Sequence, residues 1–145
     1  MSKVERFEDL IAWQKGHAFA ARIHRVVNSG TFARDYSFRN QLWKAALSVP
    51  SNVAEGFERF GPGEFMYFLS VAKASCAEVR SDLYSAFDVG HIDEPTMNSL
   101  LAEAGECGRI IGKLRASVEA RHGRGKSLST QHSALSTTKK CSSRT

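Results

Sequence analysis

The sequence predicts an all-α protein that folds as an antiparallel up-down-up-down four-helix bundle. Apolar residues recur at three- and four-residue spacing in four successive segments, which is the period of helices that bury one face. No segment shows the alternating pattern of a β-strand. Short connections join the segments, and short connections place successive helices antiparallel. At 145 residues the chain can bury one good core, so we expect a single folded domain.

The first predicted helix begins near Asp9, whose carboxylate can cap exposed backbone amides, and runs to about Asn28-Ser29-Gly30. Ser29-Gly30-Thr31 breaks it. One face is apolar and is expected to enter the core: Ala12, Gly16, Phe19, Ala20, Ile23, Val26 and Val27. Three rings lie at the boundary between the two faces: Trp13, His17 and His24. We expect them to serve packing or a subunit contact, because two histidines alone make a poor set of metal ligands.

The second predicted helix, about 35–56, contains a proline within its apolar repeat. Pro50 removes one backbone donor and clashes with the carbonyl four residues back, at a cost of roughly 3 kcal/mol. We expect hydrogen bonds from neighbouring polar side chains to offset this cost, and a kink that brings other helices close. Gly56 is placed like a helix-terminating residue. The proposed structural motif comprises Ser48, Pro50, Ser51, Asn52, Glu55 and Gly56, with Ser48, Ser51 and Asn52 as the hydrogen-bonding residues.

The third and fourth predicted helices span about 63–89 and 94–120, and Asp93 is the predicted N-cap of the fourth. The fourth helix carries a ridge of small residues at four-residue spacing: Ala104, Gly108, Gly112 and Ala116. Each glycine inside a helix costs about 1 kcal/mol relative to alanine. We therefore expect another backbone to pass close to this ridge, from the same subunit or from another one.

The last 25 residues differ in composition from the rest of the chain. Ten of them are serine or threonine, so the segment lacks the apolar surface needed to offset the entropy of ordering. We expect residues 1–120 to form the bundle and residues 121–145 to form a disordered basic tail. The tail carries six basic and no acidic residues, whereas the rest of the chain carries 14 basic and 15 acidic residues. The net charge of +5 is therefore located in the tail.

Cysteine usage and the N-terminal sequence predict a cytoplasmic protein. Cys76, Cys107 and Cys141 are widely spaced and form no Cys-x-x-Cys pair, which indicates free thiols in a reducing compartment. Met1 leads directly into a charged segment without the apolar stretch of a signal peptide. The chain contains no apolar run long enough to span a bilayer.

Several short motifs occur in order along the chain. They are Phe7-Glu8-Asp9-Leu10, Trp13-Gln14-Lys15, Gln41 with Ala45-Ala46, the run from Ser48 to Gly56, Glu64-Phe65 with Phe68-Leu69-Ser70, and Ser75 with Glu78. Together, over about residues 5–118, they resemble the bacterial four-helix-bundle family of 23S rRNA intervening-sequence proteins. The resemblance implies a subunit that assembles into a homopentameric ring. A related bundle, the accessory protein of diversity-generating retroelements, binds nucleic acid and a reverse transcriptase, so the resemblance also suggests these kinds of partner.

No set of residues has the spacing that catalysis or cofactor binding requires. Glu55, Glu78 and Asp82 come from helices two and three, but no histidine follows a glutamate at the spacing of a dinuclear metal site. We expect Glu55 and Glu78 to pair with arginines or to cap backbone groups. Cys76 lies in an apolar stripe and is predicted to be a small core residue. Since the chain also lacks a nucleophile motif and a phosphate-binding loop, we predict a protein that is not an enzyme and holds no metal or cofactor.

We expect the protein to be a homo-oligomeric scaffold that contacts RNA or DNA phosphates. A ring repeats the site of each subunit, so a weak basic patch becomes multivalent. The candidate residues lie on helix one, on helix two and in the tail: Lys15, Arg22, Arg25, Arg39, Lys44, Arg121, Arg124, Lys126, Lys139 and Lys140. The alternative for the basic residues of helices one and two is that they form an ordinary charged helix face exposed to solvent, with no binding role.

A second hypothesis is a protein-interaction module that docks a protein partner, such as a polymerase, without direct contact to nucleic acid. The near-neutral charge of residues 1–120 favours this hypothesis. Trp43 favours it too, because the related family commonly has a basic residue at that position. Trp13, Trp43 and Tyr67 are interpreted as packing or interface anchors rather than as platforms for stacked bases.

Overall fold

The computed structural model describes the backbone of residues 3–141 and the side chains of residues 3–127. The chain forms four α-helices: α1 (Ile11–Val27), α2 (Tyr36–Glu58), α3 (Pro62–Asp88) and α4 (Glu94–Cys141). Two short 3₁₀ helices precede α1 and α2: Phe7–Asp9 and Gly30–Arg34. The described residues contain no β-strand, so the predicted all-α class is confirmed. None of the helices in this range has the length and apolar character needed to cross a membrane.

The four helices pack as an antiparallel bundle. α1 packs on α2, α2 on α3 and α3 on α4, and α4 closes the arrangement against α1. Within the described part of the chain, the diagonal pairs α1–α3 and α2–α4 make no close backbone approach. The helices therefore occupy the four edges of a square around one core, in the predicted up-down-up-down order.

The core runs along the whole bundle and draws on all four helices. Its largest fully buried side chains include Phe19, Ile23, Leu42, Val49, Leu69, Leu83, Leu100 and Ile111. At one end Phe32, from the second 3₁₀ helix, is also fully buried and stacks on the ring of His91 with centroids 4.7 Å apart. The apolar stripes predicted from the sequence are the faces that pack together, because apolar burial is the main favourable term in folding.

The start of α1 differs from the prediction. Asp9 lies inside the first 3₁₀ helix, and Leu10 occupies the N-cap position without a side-chain capping bond. Leu10 is 7% exposed and belongs to the core. The helix therefore begins where burial of Leu10 places it, and Asp9 is one residue too early to cap it. Asp93 caps α4 as predicted, because its Oδ1 accepts a hydrogen bond from the Thr96 backbone N–H at 2.9 Å.

Pro50 lies inside α2 and is buried, as predicted. Asn52 Nδ2 donates to the backbone oxygen of Ser48 at 2.7 Å and to its Oγ at 2.8 Å. The Ser48 hydroxyl also meets the Ser75 hydroxyl at 2.8 Å, which ties α2 to α3. Ser51 is exposed and makes no side-chain hydrogen bond with any residue described, so its predicted role is wrong.

Two glycines let neighbouring helices approach this part of α2. A Cβ on Gly16 would lie 3.1 Å from Val49 Cγ1 and 3.4 Å from the Pro50 nitrogen, so α1 passes close to the proline. Gly56 does not end α2, which continues to Glu58. Instead, a Cβ on Gly56 would lie 2.6 Å from the Cβ of Phe68 on α3. The predicted helix terminator is therefore a close-packing residue, because only a residue without a side chain fits there.

The end of α4 also differs from the prediction. The sequence predicts a helix end near Ala120, whereas α4 continues to Cys141. The division into a bundle of residues 1–120 and a disordered tail of residues 121–145 stays a prediction. Residues 121–127 are exposed except for His122, which is half-buried, so the helix extends beyond the packed part of the bundle. A helix satisfies its own backbone hydrogen bonds, and this segment contains no proline to interrupt them. Residues 142–145 lie outside the described part of the chain.

Candidate nucleic-acid interface

The predicted basic residues of α1 are largely neutralised by α4. Lys15 Nζ lies 3.6 Å from a carboxylate oxygen of Glu106. Arg22 binds the Glu103 carboxylate at 2.5 Å and also donates to the Ser99 hydroxyl at 2.8 Å. These ion pairs hold α1 against α4, so the positive charges of Lys15 and Arg22 are compensated by carboxylates of the same subunit. The predicted patch on helix one is therefore weaker than its residue count indicates.

The other predicted helix residues lie on separate surfaces. Arg39 donates to the backbone oxygen of Ala33 at 2.9 Å and stacks over the Tyr36 ring at 4.9 Å. Lys44 lies in a shallow hollow between α2 and α3, beside Glu78. Arg25 lies in a different hollow, next to Arg22 and at the bundle end that holds the α3–α4 connection. The structure does not bring the five residues of α1 and α2 into one site.

The predicted tail residues lie on the extension of α4. Arg121 donates to the Ser117 hydroxyl at 3.0 Å, one turn earlier in the helix. Arg124 and Lys126 are exposed on the same helix. Lys139 and Lys140 fall within the backbone of α4, but their side chains lie outside the described residues.

A different set of cations lies between α3 and α4. We call this region the basic groove; it has a volume of about 970 Å³ and is lined by Lys73, Arg80, Arg109 and Arg115 over a floor of Ala74, Ala77, Gly105 and Gly108. None of the described residues that line it is aspartate or glutamate. The groove thus concentrates positive charge on a bundle whose overall charge is close to neutral.

The glycines of α4 make room for these cations. A Cβ on Gly105 would lie 3.3 Å from an Arg109 guanidinium nitrogen, and a Cβ on Gly112 would lie 3.4 Å from Lys73 Nζ. Gly108 faces only the Cys76 side chain, at 3.8 Å. Within the described subunit, no backbone comes within 4 Å of these three positions apart from that of α4 itself. Within this subunit the ridge of small residues therefore accommodates long basic side chains, and the predicted close backbone does not come from the described part of the same chain. A close backbone from another subunit stays a prediction.

The charges of the groove differ in how far they are compensated. Arg115 donates to the Ser70 hydroxyl at 2.7 Å and pairs with Glu119 at 3.3 Å. Lys73, Arg80 and Arg109 have no carboxylate within ion-pair distance among the side chains that the structure describes. These three cations are available to an external anion.

Sequence reasoning missed the basic groove because its cations belong to two helices that are distant in the chain. Lys73 and Arg80 are seven residues apart, a spacing that places both on one side of α3. Arg109 lies beside the small ridge of α4. The sequence contains both features, the basic pair on α3 and the ridge of small residues on α4. It does not show that they form one groove, because only the packing of α3 on α4 brings them together.

The predicted carboxylates do not converge. Glu55 pairs with Arg59 at 2.6 Å, which confirms the expected arginine partner. Asp82 is buried, accepts hydrogen bonds from Gln41 at 3.2 and 3.3 Å, and has a raised pKa because burial disfavours its charged form. Glu78 makes no arginine pair or backbone cap among the described residues. The described side chains include no group of three metal-ligating residues close enough to hold an ion.

The two described cysteines are buried and free. Cys76 lies in the core, as predicted, and burial raises its pKa to about 11. Burial also raises the pKa of Cys107 to about 12. Both thiols are therefore protonated at neutral pH, which suppresses their reactivity as nucleophiles.

A hydrogen-bonded link joins the two connections at one end of the bundle. His91 Nε2 lies 2.9 Å from a carboxylate oxygen of Asp35, and His91 Nδ1 lies 2.9 Å from the Thr31 hydroxyl. In a neutral ring, Nε2–H donates to the carboxylate and Nδ1 accepts from the hydroxyl. Asp35 also caps α2 by accepting from the Phe38 backbone N–H at 3.3 Å. The link fixes the α1–α2 connection against the α3–α4 connection.

The chain is similar to known proteins both in sequence and in fold. The model of the 23S rRNA-intervening sequence protein family matches residues 8–113, nearly the whole packed bundle. A crystal structure of a protein of unknown function from the S23 ribosomal protein family, from Bacteroides thetaiotaomicron VPI-5482, superposes with a TM-score of 0.67 at 16% identity. The superposition covers 73% of this chain and 96% of that one, which supports the four-helix fold. No curated protein matches the chain. Because the family model spans well over half of the sequence, the chain belongs to the 23S rRNA-intervening sequence protein family.

Proposed function

We propose that this protein is a non-enzymatic, homo-oligomeric scaffold of the cytoplasm that binds RNA or DNA through the basic groove. The observation that carries the proposal is the group of three cations, Lys73, Arg80 and Arg109, which lack carboxylate partners within the described chain. Uncompensated lysine and arginine side chains are the groups that bind phosphate backbones.

The lining of the basic groove favours contact with phosphates over contact with bases. Its described lining contains no aromatic side chain on which a base could stack, and its floor is alanine and glycine. Binding through such a surface depends little on base sequence. Its affinity falls with salt, by a log–log slope of about −0.9 for each phosphate neutralised on a duplex.

The extension of α4 supplies a second contact region. Arg121 and Arg124 continue the positive charge of α4 beyond the packed bundle, and both are exposed. Deletion of residues 122–145 is expected to weaken binding without removing it, because the basic groove remains. Unchanged affinity after the deletion would take the extension out of the proposed interface.

Self-association would repeat the basic groove and strengthen binding through multivalency. The surface that favours self-association lies along α1 and α2, and we call it the aromatic face: Trp13, His17, His24, Trp43 and Leu47. Trp13 stacks on His17 with centroids 4.6 Å apart, and His24 packs on Trp43 with centroids 4.7 Å apart. Leu47 is 39% exposed beside them. An ordered aromatic surface of this kind is typical of interface anchors.

The test is fluorescence anisotropy with labelled single-stranded RNA and duplex DNA of several sequences. The groove variant replaces Lys73, Arg80 and Arg109 with glutamine. The control variant replaces Lys15, Arg25 and Lys44 with glutamine, which removes the same charge from other surfaces. Loss of each phosphate contact weakens binding several-fold, so we expect the groove variant to lose roughly tenfold or more and the control to lose far less. Equal losses in the two variants would contradict a localised site.

A protein-interaction module remains the second candidate, and the small floor of the basic groove favours it. Alanine and glycine at Ala77 and Gly105 allow a partner helix to approach closely. Gly105→Leu would block a helix, while the long cations at the rim could still reach phosphates. A purified partner retained after nuclease treatment and lost in Gly105→Leu would support this candidate over nucleic-acid binding.

A further inference from the structure

A second recess lies at the bundle end where α2 turns into α3. We call it the end cavity; its volume is about 1070 Å³, and the N-terminal segment and the extension of α4 form its sides. Its apolar lining comes from Leu10, Phe57, Phe65, Leu114 and Val118. The size matches that of sites for small organic ligands, which are concave and mostly apolar. The end cavity is separate from the basic groove, which lies on the α3–α4 side of the bundle.

The rim of the end cavity is basic. Five of its residues are cationic or titrate to a cation, and none of the described lining residues is acidic: Lys3, Arg59, Arg121, His122 and Lys126. The cavity therefore has apolar walls below a positively charged rim, and a ligand that fits it must match both features. The ligand needs an apolar body and an anionic end.

Two arginines of this rim are already oriented by neighbouring groups. Arg59 binds Glu55 at 2.6 Å, which compensates part of its charge, and its guanidinium lies over the Phe68 ring, 5.0 Å from the centroid. The excess positive charge of the rim therefore comes mainly from residues such as Lys3 and Arg121, which make no ion pair with a described carboxylate. Arg121 donates one hydrogen bond to the Ser117 hydroxyl. A guanidinium has five N–H donors, so each arginine keeps donors for a carboxylate. Their fixed positions reduce the entropy lost when an anion binds.

We propose that the end cavity binds a long-chain carboxylate, with its alkyl chain on the apolar lining and its carboxylate at Arg59 and Arg121. The alkyl chain would cover Phe57, Phe65 and Leu114, which are half-buried in the unliganded protein. The carboxylate would form charge-assisted hydrogen bonds with the two guanidinium groups. This site lies apart from the basic groove, although Arg121 also belongs to the second contact region proposed for nucleic acid, and it adds a small-molecule ligand to the protein.

The experiment is calorimetric titration of the full chain with dodecanoate below its aggregation concentration. Dodecyltrimethylammonium has the same chain with the opposite charge and serves as the matched ligand. We expect saturable binding of one dodecanoate per chain and at least roughly tenfold weaker binding of the cation, because only the carboxylate pairs with the rim. Equal affinities for the two ligands, or no saturable dodecanoate binding, would overturn the proposal.

Variants locate the site within the protein. Arg59→Gln combined with Arg121→Gln is expected to weaken dodecanoate by roughly tenfold or more through loss of two charge-assisted contacts. Leu114→Trp is expected to fill the cavity and abolish binding, whereas Arg80→Gln in the basic groove is expected to leave it unchanged. Circular dichroism and thermal melting establish that each variant is folded. If Leu114→Trp does not fold, the double variant Arg59→Gln with Arg121→Gln provides the test. Unchanged dodecanoate affinity in this double variant would show that the ligand binds elsewhere.

Discussion

At the scale of single residues, the absence of a side chain decides how closely the helices of this bundle approach. Gly56 faces Phe68 across α2 and α3, and Gly16 faces Pro50 across α1 and α2. Packed interiors leave little room for additional atoms, so each extra methyl group must displace a neighbour. These two positions therefore control the spacing of three of the four helices.

Gly56→Ala is predicted to destabilise the fold, because the new Cβ would lie 2.6 Å from the Phe68 Cβ. Overpacking of this kind typically lowers the free energy of unfolding by about 1–3 kcal/mol. The matched control is Gly63→Ala, an exposed glycine of α3 with nothing within 4 Å of its Cβ position. Urea unfolding should show a loss for Gly56→Ala and none for Gly63→Ala. Similar stability of the two variants would show that α2 and α3 shift apart without cost.

Asp35→Asn is predicted to lower stability at neutral pH but not in acid. The hydrogen bond from His91 and the bond from the Phe38 N–H hold the pKa of Asp35 below its ordinary value of 3.8. A lowered pKa means that the folded state favours the carboxylate, so this contribution is complete above about pH 4–5 and is lost as the pH falls through the folded-state pKa.

The measurement is the urea midpoint of the wild type and of Asp35→Asn between pH 7 and pH 3. The two curves should converge as the pH falls, because protonation removes the same charge that the substitution removes. Asp9→Asn changes an exposed aspartate that caps no helix and controls for net charge. A difference between Asp35→Asn and wild type that stays constant with pH would argue against a stabilising role for the Asp35 carboxylate in its hydrogen bond with His91.

At the scale of elements, α2 is distinguished by its internal proline and α4 by its length. α2 contains a buried proline, and Asn52 donates hydrogen bonds to the backbone oxygen and the hydroxyl of Ser48. α4 continues beyond the bundle, where its last described side chains are mostly exposed. α2 packs closely against α1 and α3 on both sides of its proline, whereas the last part of α4 extends past the helices that it packs against.

Pro50→Ala is predicted to leave helicity near normal but to change packing or assembly. The other backbone hydrogen bonds of α2 persist, whereas the buried ring carbons of Pro50 are lost. Far-UV circular dichroism, melting temperature and native mass report these properties separately. Pro62→Ala is the control, because a proline in the first turn of α3 replaces an N–H that would have no helical partner. An unchanged melting temperature and native mass for Pro50→Ala would show that the buried proline is incidental.

At the scale of the whole molecule, charge and apolar surface are segregated. The α1–α4 side carries ion pairs, the α3–α4 side carries the basic groove, and the α1–α2 side carries the aromatic face. A protein that repeats its basic groove around an oligomer would associate through a surface without that charge. The aromatic face fits this requirement.

The native mass is predicted to be that of a homo-oligomer at both low and high salt. The family resemblance leads us to expect a pentamer. Salt resistance is expected because the aromatic face is apolar and salt screens only charges. Leu47→Glu should dissociate the oligomer, whereas Tyr84→Glu, which alters a 51% exposed tyrosine on α3, should not. Native mass spectrometry or light scattering measures both variants. If the wild-type protein is a monomer, binding cannot be multivalent, and each basic groove would have to bind nucleic acid by itself.

The apolar periodicity of the sequence predicted the four helices, their order and most of the core. Helix stripes depend on residues three and four positions apart, so local spacing determines them. The same local information placed Asp93 as a cap and Pro50 inside α2. It failed at Asp9 and Gly56, because Leu10 is drawn into the core and α3 passes against Gly56. These outcomes depend on contacts with other helices.

The position of the charged surface on which the proposed function depends was decided by the tertiary structure. The sequence by itself determined that the chain is a four-helix bundle of a recognisable family and that its excess charge lies near the C-terminus. Only packing determined that Lys15 and Arg22 are neutralised by glutamates of α4, while no carboxylate among the described side chains neutralises Lys73, Arg80 or Arg109. The physical reason is that the field of a charged side chain depends on its spatial neighbours, and in a bundle those neighbours come from distant parts of the chain.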